Sequence, residues 1–335
     1  MAISNDVLSS TLRILLDEEV DNLFKSTPLL TEMRRGDGLE TYDGGQKLDV
    51  PVILEEHSQI TQLSNGYEPV SLAVKDALRT ASYNWCDFVA PVVITRKEEL
   101  SNKGPRAIVS IAEARLKSVM GLLAREVDKQ LVANSSTILT ELNSLCDTQG
   151  AANRDGFLQA STFGSQLGTI GGIDSNTFAT WQNQHKESAA FAVSDMVDLY
   201  LQCQAYSPGN GQPNLIISDE TSYAAYKAAI TTQERFMPSD DLDLGRLTLA
   251  FHGARLYFDP ASPANVKNHA AADREFRMYF LNTEYLKLAF DKDAQFELSD
   301  FEHVSGYASR SANIMTRMQM YVSHLACQGL YTKNS

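Results

Sequence analysis

Acidic side chains at regular spacing are the first residues to test for chemistry. In DKDAQFELSDFE (291–302), Asp291, Asp293, Gln295, Glu297 and Glu302 fall near the offsets of a calcium-binding EF-hand loop. That loop needs glycine at its sixth position for a sharp bend, and the sixth residue here is Phe296. The flanks alternate as strands rather than helices, so no calcium site is expected. A metal-dependent enzyme built on this stretch would have to bind calcium tightly. Asp240, Asp241 and Asp243, after Pro238, read as a solvated turn. His57, His185, His252, His269, His303 and His324 make no HExxH and no zinc-ligand pair with the cysteines. There is no GxSxG nucleophile elbow and no GxxxxGK[ST] phosphate loop. GTIGGI does not follow a strand and open a helix, so Gly168, Gly171 and Gly172 are read as backbone turns. No catalytic, metal or cofactor residue is expected, and the chain reads as a non-enzyme.

Composition narrows the classes further. The 335 residues carry a net charge of −13 with no basic cluster, the opposite of what a tight nucleic-acid binder needs. DNA is therefore expected only as a non-specific neighbour. No apolar run approaches the roughly 20 residues of a membrane span. The start, MAISNDVLSS, has no basic segment leading into an apolar one, so no signal peptide is expected. Cys86, Cys146, Cys203 and Cys327 are widely spaced and read as free, mostly buried thiols.

The elements that must position these residues follow from hydrophobic period. Residues 5–27 predict an amphipathic helix capped by Asn5 or Asp6 and ended by Pro28. A turn-rich stretch from Met33 to Gly45 should be irregular. QKLDVPVILEE and TASYNWCDFVAPVVIT predict two paired strands joined by about twenty polar residues, with Asn65-Gly66 as the turn signal. Such an excursion has no core of its own and must rest on something else. Pro105 opens the clearest helix, with Ile108, Ala112, Leu116, Val119, Leu123, Val127 and Leu131 as its apolar stripe. Running to Ala133, it would be about 40 Å long, a strut. Ser194–Tyr206 predicts a helix capped by Ser194, PNLIISDE a buried strand, and TSYAAYKAAITTQ a helix capped by Asp219 or Thr221. LTLAFHGARLYFDP completes an α/β unit. Residues 274–298 and 311–334 supply long returning strands.

In this order the elements resemble the major capsid protein of tailed double-stranded DNA phages, the Hong Kong 97 phage-type fold, over about residues 7–330. The resemblance is carried by Asn22 with Thr27-Pro28-Leu29-Leu30, Gly44-Gly45, Tyr83-Asn84-Trp85, and Glu98 with Asn102 and Gly104. Further on it rests on Gly171-Gly172-Ile173-Asp174 with Trp181, Pro213-Asn214-Leu215-Ile216 with Tyr223, Arg235-Phe236, Gly253 with Asp259, and Phe280-Leu281-Asn282. The family often has two adjacent tryptophans where this chain has Trp181-Gln182.

The resemblance implies an α+β fold with an N-arm (1–45), an E-loop hairpin and P-domain strands (46–97), and a spine helix and P-domain segment (98–190). An α/β A-domain (191–275) and return strands of the P-domain (276–335) complete it. It places Lys47, Gln62, Asn65, Gly66, Tyr67 and Lys75 in the E-loop, the arm that reaches across to neighbouring copies. It gives Trp85, Gly171, Gly172, Asp174, Trp181, Gly253, Asp259 and Asn282 structural roles. The implied function is a head-shell protein that assembles with its own copies into hexamers and pentamers of an icosahedral particle enclosing double-stranded DNA. A portal, a separate scaffolding protein and decoration proteins are the other implied partners. The implied locations are the virion and, during assembly, the host cytoplasm. The arm begins almost at Met1, so a scaffold is expected to be separate or already absent. Some relatives cross-link an E-loop Lys to an Asn of a neighbour; no Asn matches Lys47 or Lys75, and no cross-link is expected. The alternative is an encapsulin-like compartment shell of the same fold holding cargo enzymes.

Overall fold

The computed structural model describes residues 13, 15, 16, 19, 20, 27–36, 38–55, 77–101, 105–132, 169–175, 177–207, 211–230, 248–259, 277–304 and 306–333. Gln62, Asn65, Gly66, Tyr67, Lys75, Asn102, Gly104, Cys146, Gly168 and the acidic turn at 240–243 lie outside them.

Pro28 starts a helix instead of ending one. It sits in the first turn of α1 (Pro28–Arg35), where its missing N–H costs no hydrogen bond, behind an extended Thr27. Leu29, Leu30 and Met33 are fully buried. The glycine-rich stretch expected to be irregular contains the end of α1 and then β1 (Leu39–Tyr42).

β2 (Lys47–Ile53) and β3 (Leu78–Asn84) pair antiparallel from Lys47 opposite Asn84 to Ile53 opposite Leu78. The ladder continues through the Leu54 N–H, which donates to the Ala77 carbonyl at 3.0 Å. Strand alternation turns Leu48, Val50 and Val52 inward and Lys47, Asp49, Pro51 and Ile53 outward. The sequence predicts a single return strand here; the structure breaks it at Trp85. β3 stays with β2, whereas β4 (Cys86–Thr95) joins a different sheet.

α2 (Arg96–Ser101) opens on one half of a capping box. Thr95 donates its N–H (3.1 Å) and its hydroxyl (2.7 Å) to the Glu98 carboxylate. α3 (Pro105–Val132) is the expected strut, 28 residues long, or about 42 Å. Its stripe of Ala112, Leu116, Met120, Leu123, Val127 and Leu131 is buried.

The remaining chain forms β5 (Thr169–Ile170), β6 (Ile173–Asp174), β7 (Gln184–Ser188), α4 (Val193–Ala205), β8 (Leu215–Ser218), α5 (Glu220–Ile230), β9 (Thr248–Phe251) and β10 (Ala254–Phe258). It ends with β11 (Arg277–Leu281), β12 (Leu286–Asp291), β13 (Glu297–Leu298), β14 (Glu302–His303), β15 (Ser309–Val322) and β16 (Gly329–Lys333). α4 begins one residue before its expected cap, so Ser194 lies inside the helix behind Ala192. Asp219 does cap α5, accepting from the N–H groups of Thr221 (3.1 Å) and Ser222 (3.3 Å).

Two six-stranded sheets organise these elements. The first is built on β15, with β12, β13 and β14 along one edge, β4 along the other, and β1 parallel to β12. α3 covers its inner face, where Val92, Ile94, Ile314 and Met318 share one core with Leu116 and Val127. The second runs β7-β16-β11-β8-β10-β9. One of its faces, with Ile216, Leu256, Phe280 and Tyr331, packs on α4 and α5. The other, with Leu215, Ile217, Tyr257, Tyr279 and Leu330, belongs to the main core with α1 and Trp181. The expected A-domain segment 191–275 does not complete this sheet alone, since β7, β11 and β16 come from outside it.

Candidate functional site

The segment that most resembled an ion site is spent on structure. Phe296 takes the bend glycine would take, at φ 53°, with its ring buried. Asp291 is 5% exposed and accepts from Arg317 Nη1 (3.3 Å) and the Asp293 N–H (3.2 Å). Among the described residues no three His, Cys, Asp or Glu side chains converge on a metal position. Cys86, Cys203 and Cys327 are buried free thiols. Burial pushes Cys86 up to about 11 and Cys327 up to about 12, far from a reactive thiolate.

What the chain builds with care is the seat of the β2–β3 hairpin. Gly171 (φ 59°) and Gly172 (φ 79°) form the tight turn between β5 and β6, a turn requiring positive φ at both positions. That turn abuts β3. The Gly171 carbonyl accepts from the Ser82 N–H at 2.8 Å, and a Cβ on Gly171 would lie 2.9 Å from the Ala81 Cβ. Trp181, 1% exposed, donates its indole N–H to the Ile170 carbonyl at 3.1 Å. Beside it, the Thr180 hydroxyl donates to the Leu54 carbonyl at 2.6 Å, at the last described rung of the ladder. Asp174 accepts from the Thr177 hydroxyl at 3.2 Å. Four expected residues, Gly171, Gly172, Asp174 and Trp181, therefore form one wedge under the hairpin.

The base of the hairpin then meets the outer face of the first sheet, which is divided into two zones. Registered partners share a face, so Asp87–Arg317, Val89–Met315, Pro91–Asn313 and Val93–Ser311 all point outward with Tyr321 and Gln319. Tyr83 and Asn84, at the base of the hairpin, meet the polar zone. Gln319 Nε2 donates to the Asn84 carbonyl at 2.6 Å, and the Tyr83 and Tyr321 rings lie 6.5 Å apart. Next to them Glu40 gathers Tyr42, Tyr321 and Lys287, while Arg317 bridges Asp87 (2.6 Å) and Asp291. The remaining zone is mixed, with Val89 (57% exposed), Pro91 and Val93 (37%) on the β4 side and Ser311 and exposed Asn313 beside them on β15. Among the described residues the hairpin's outer surface carries a second exposed apolar pair, Ile53 (67% exposed) opposite Leu78 (63%).

Arg115 fixes the angle between the sheet and α3 by donating to both the Val93 carbonyl and Glu98. A second clamp joins α1 to the other sheet. Glu32 accepts from Arg255 (2.9 Å) and the Tyr257 hydroxyl (2.8 Å), with Arg35 at 3.4 Å.

The other expected residues lie apart from this region. Lys47 is exposed on β2, and Trp85 packs half-buried at the β3–β4 break. Gly253 (φ 91°) follows His252 (φ 47°) in the β9–β10 turn. Asp259 is fully buried after β10, and its N–H donates to the Ser218 carbonyl at 3.1 Å. Asn282 turns β11 into β12, accepting from the Glu284 N–H at 3.0 Å and exchanging two backbone bonds with the Gln328 amide. The sequence reading missed Glu32, Gln328 and the Val89–Val93 zone. For the last, the signal was present: alternate apolar residues on both sides of β4.

No protein-family model matches the chain, and no curated protein matches it in sequence. Its likeness to solved structures is extensive. The cyanophage A-1(L) capsid is 12% identical with a TM-score of 0.59, over 88% of this chain and 89% of that one. The capsid of an empty GTA particle is 12% identical with a TM-score of 0.54, over 90% and 89%. The capsid of Myoviridae phage XM1 is 9% identical with a TM-score of 0.52, over 90% and 92%. The chain has the α+β fold of Hong Kong 97 phage-type capsid proteins.

Proposed function

We propose that this chain is a structural shell protein, the major capsid protein of a tailed-phage head, assembling with its own copies into hexamers and pentamers around double-stranded DNA. The observation that carries the reading is two sets of exposed apolar side chains among the described residues, Ile53 with Leu78 and Val89 with Val93. On this reading the exposed Ile53–Leu78 pair of one hairpin packs on the Val89–Val93 side chains of a neighbouring copy, on the sheet face that the base of the hairpin touches within its own chain.

Each such side chain contributes about 1.5–3 kcal/mol when fully buried. One contact of this size is modest after the cost of association, and a closed lattice multiplies it. Exposed strands and long arms are liabilities in a solitary molecule and connectors in an assembly. The fold shared with three capsids supports the same reading.

On this reading the chain divides into N-arm (1–45), E-loop hairpin with P-domain strands (46–97), spine helix with a P-domain segment (98–190), A-domain (191–275) and returning P-domain strands (276–335). It acts in the virion after assembling in host cytoplasm, with a portal, a separate scaffolding protein and decoration proteins as further partners. Electron microscopy of the purified chain tests the reading. Closed particles that take up DNA support it. Closed particles that exclude DNA and hold protein cargo favour a compartment shell, and absence of any particle, with or without co-expressed scaffold, contradicts both.

A further inference from the structure

We propose that the neck joining the two sheets is an acid-sensitive conformational switch, in which protonation of His324 loosens the neck; it stands apart from the shell reading and does not depend on it. The neck is a double crossover. β11 and β16 are antiparallel neighbours in the second sheet, with Phe280 opposite Gly329. Their continuations β12 and β15 are antiparallel neighbours in the first, with Leu286 opposite Val322. Two adjacent strands of one sheet thus pass into two adjacent strands of the other through residues 282–285 and 323–328.

The two linkers hold each other by a few named bonds. The Asn282 N–H donates to Gln328 Oε1 at 2.8 Å, and Gln328 Nε2 donates to the Asn282 carbonyl at 3.1 Å. The Ser323 N–H donates to the Tyr285 carbonyl at 2.9 Å, joined by the Ser323 hydroxyl at 3.3 Å. Next along the chain, His324 lays its ring beside that of Tyr285, centroids 5.9 Å apart. Its carbonyl accepts from the Cys327 thiol at 3.0 Å.

The ring is placed where a charge is unwelcome. His324 Nδ1 is buried and, among the described residues, has no hydrogen-bond partner. A neutral imidazole can leave that atom as a lone pair, whereas the imidazolium carries an N–H there with no acceptor. The other titratable groups of the neck are Glu284, Tyr285 and Cys327, with Cys203 behind them on α4. Burial raises Tyr285, Cys327 and Cys203, so all three stay neutral at mildly acid pH. Glu284 is exposed and forms no ion pair with the ring. Burial accordingly holds His324 below its ordinary value. A histidine kept neutral by folding contributes stability that is present above its ordinary value near 6.5 and lost as pH falls toward the folded one. The ring can take its proton only by leaving the Tyr285 face, and Ser323, the adjacent residue, carries the bonds that close the neck.

The experiment is hydrogen exchange on the intact chain from about pH 7.5 to about pH 5, with rates corrected for the intrinsic pH dependence of exchange. The expected result is protection of the Asn282, Ser323 and Gln328 amides that falls below about pH 6.5 by up to about tenfold per pH unit. The amides of β8 and of the β4–β15 ladder should hold. His324→Phe keeps a ring against Tyr285 and cannot titrate, so neck protection in it should not change with pH. His324→Gln should be equally flat, even from a lower starting protection. Deuterium uptake at the histidine ring carbon C2, followed by mass spectrometry, should place the His324 ionisation below about 6.5. An ionisation at or above that value overturns the proposal. So does a pH-dependent loss that persists in either variant, or one that appears in β8 at the same pH.

Discussion

Trp181 donates its indole N–H to the Ile170 carbonyl at 3.1 Å, and this bond ties the Gly-Gly turn to the body beneath the hairpin. The indole fills the core at 1% exposure while its polar edge holds the strand that carries the turn. Trp181→Ala should cost about 3–5 kcal/mol in urea unfolding through the cavity it leaves. Trp181→Phe keeps most of the volume and should cost about 1–2 kcal/mol through the unpaired carbonyl.

The two turn glycines should behave differently. Both have positive φ, so any side chain strains them. Gly172 faces open space, and Gly172→Ala should cost about 1 kcal/mol. At Gly171 the added Cβ would also press on the Ala81 Cβ at 2.9 Å and the Tyr83 ring at 3.0 Å. Gly171→Ala should therefore cost about 2–4 kcal/mol, and hydrogen exchange should show loss of protection concentrated in β3.

Glu32 should be worth more than a surface ion pair. Its side chain is 9% exposed, whereas that of Arg255 is 35% exposed and keeps part of its hydration. Glu32→Ala should destabilise by about 2–3 kcal/mol, below the range for a fully buried pair, because one partner remains wet. Thermal unfolding of Glu32→Ala beside Glu32→Gln measures it, and the Gln variant should recover part of the loss through the Tyr257 hydroxyl.

Glu40 predicts an acid limb of stability. Burial works to raise its carboxyl, but hydrogen bonds from Lys287, Tyr321 and Tyr42, with the Lys287 charge, hold it below its ordinary value. A carboxyl lowered on folding contributes stability that is present above its unfolded value and lost as pH falls through the folded one. Glu40→Gln should cost about 1 kcal/mol at neutral pH for this partly exposed group. The gap to the wild type should close as pH drops below about 4.

Legibility in the sequence followed the range of the forces involved. α3 and β8 were plain because a buried stripe or a short apolar run writes its period directly into neighbouring residues. The Asp219 cap was also local. Pro28 was misread because proline both ends helices and begins them, and only the burial of Leu29, Leu30 and Met33 decides between the two. The break at Trp85 was hidden because β3 and β4 are equally good strand formers, and partner choice depends on β15, more than 200 residues away. Within the candidate site the Gly-Gly turn and Trp181 were legible as residues. That they seat the predicted β2–β3 ladder was not, and neither were the Glu32 and Gln328 clamps, whose partners are distant in sequence.

Self-association through the hairpin is the claim everything else serves, and sedimentation velocity across a wide concentration range tests it most directly, comparing the intact chain with Ile53→Asp and with a deletion of residues 55–75. The account predicts closed particles from the intact chain, and only folded monomers or open rings from either variant. An intact chain that stays monodisperse and compact at high concentration, with β2 and β3 fully protected from hydrogen exchange, would contradict it, as would normal particles from the deletion.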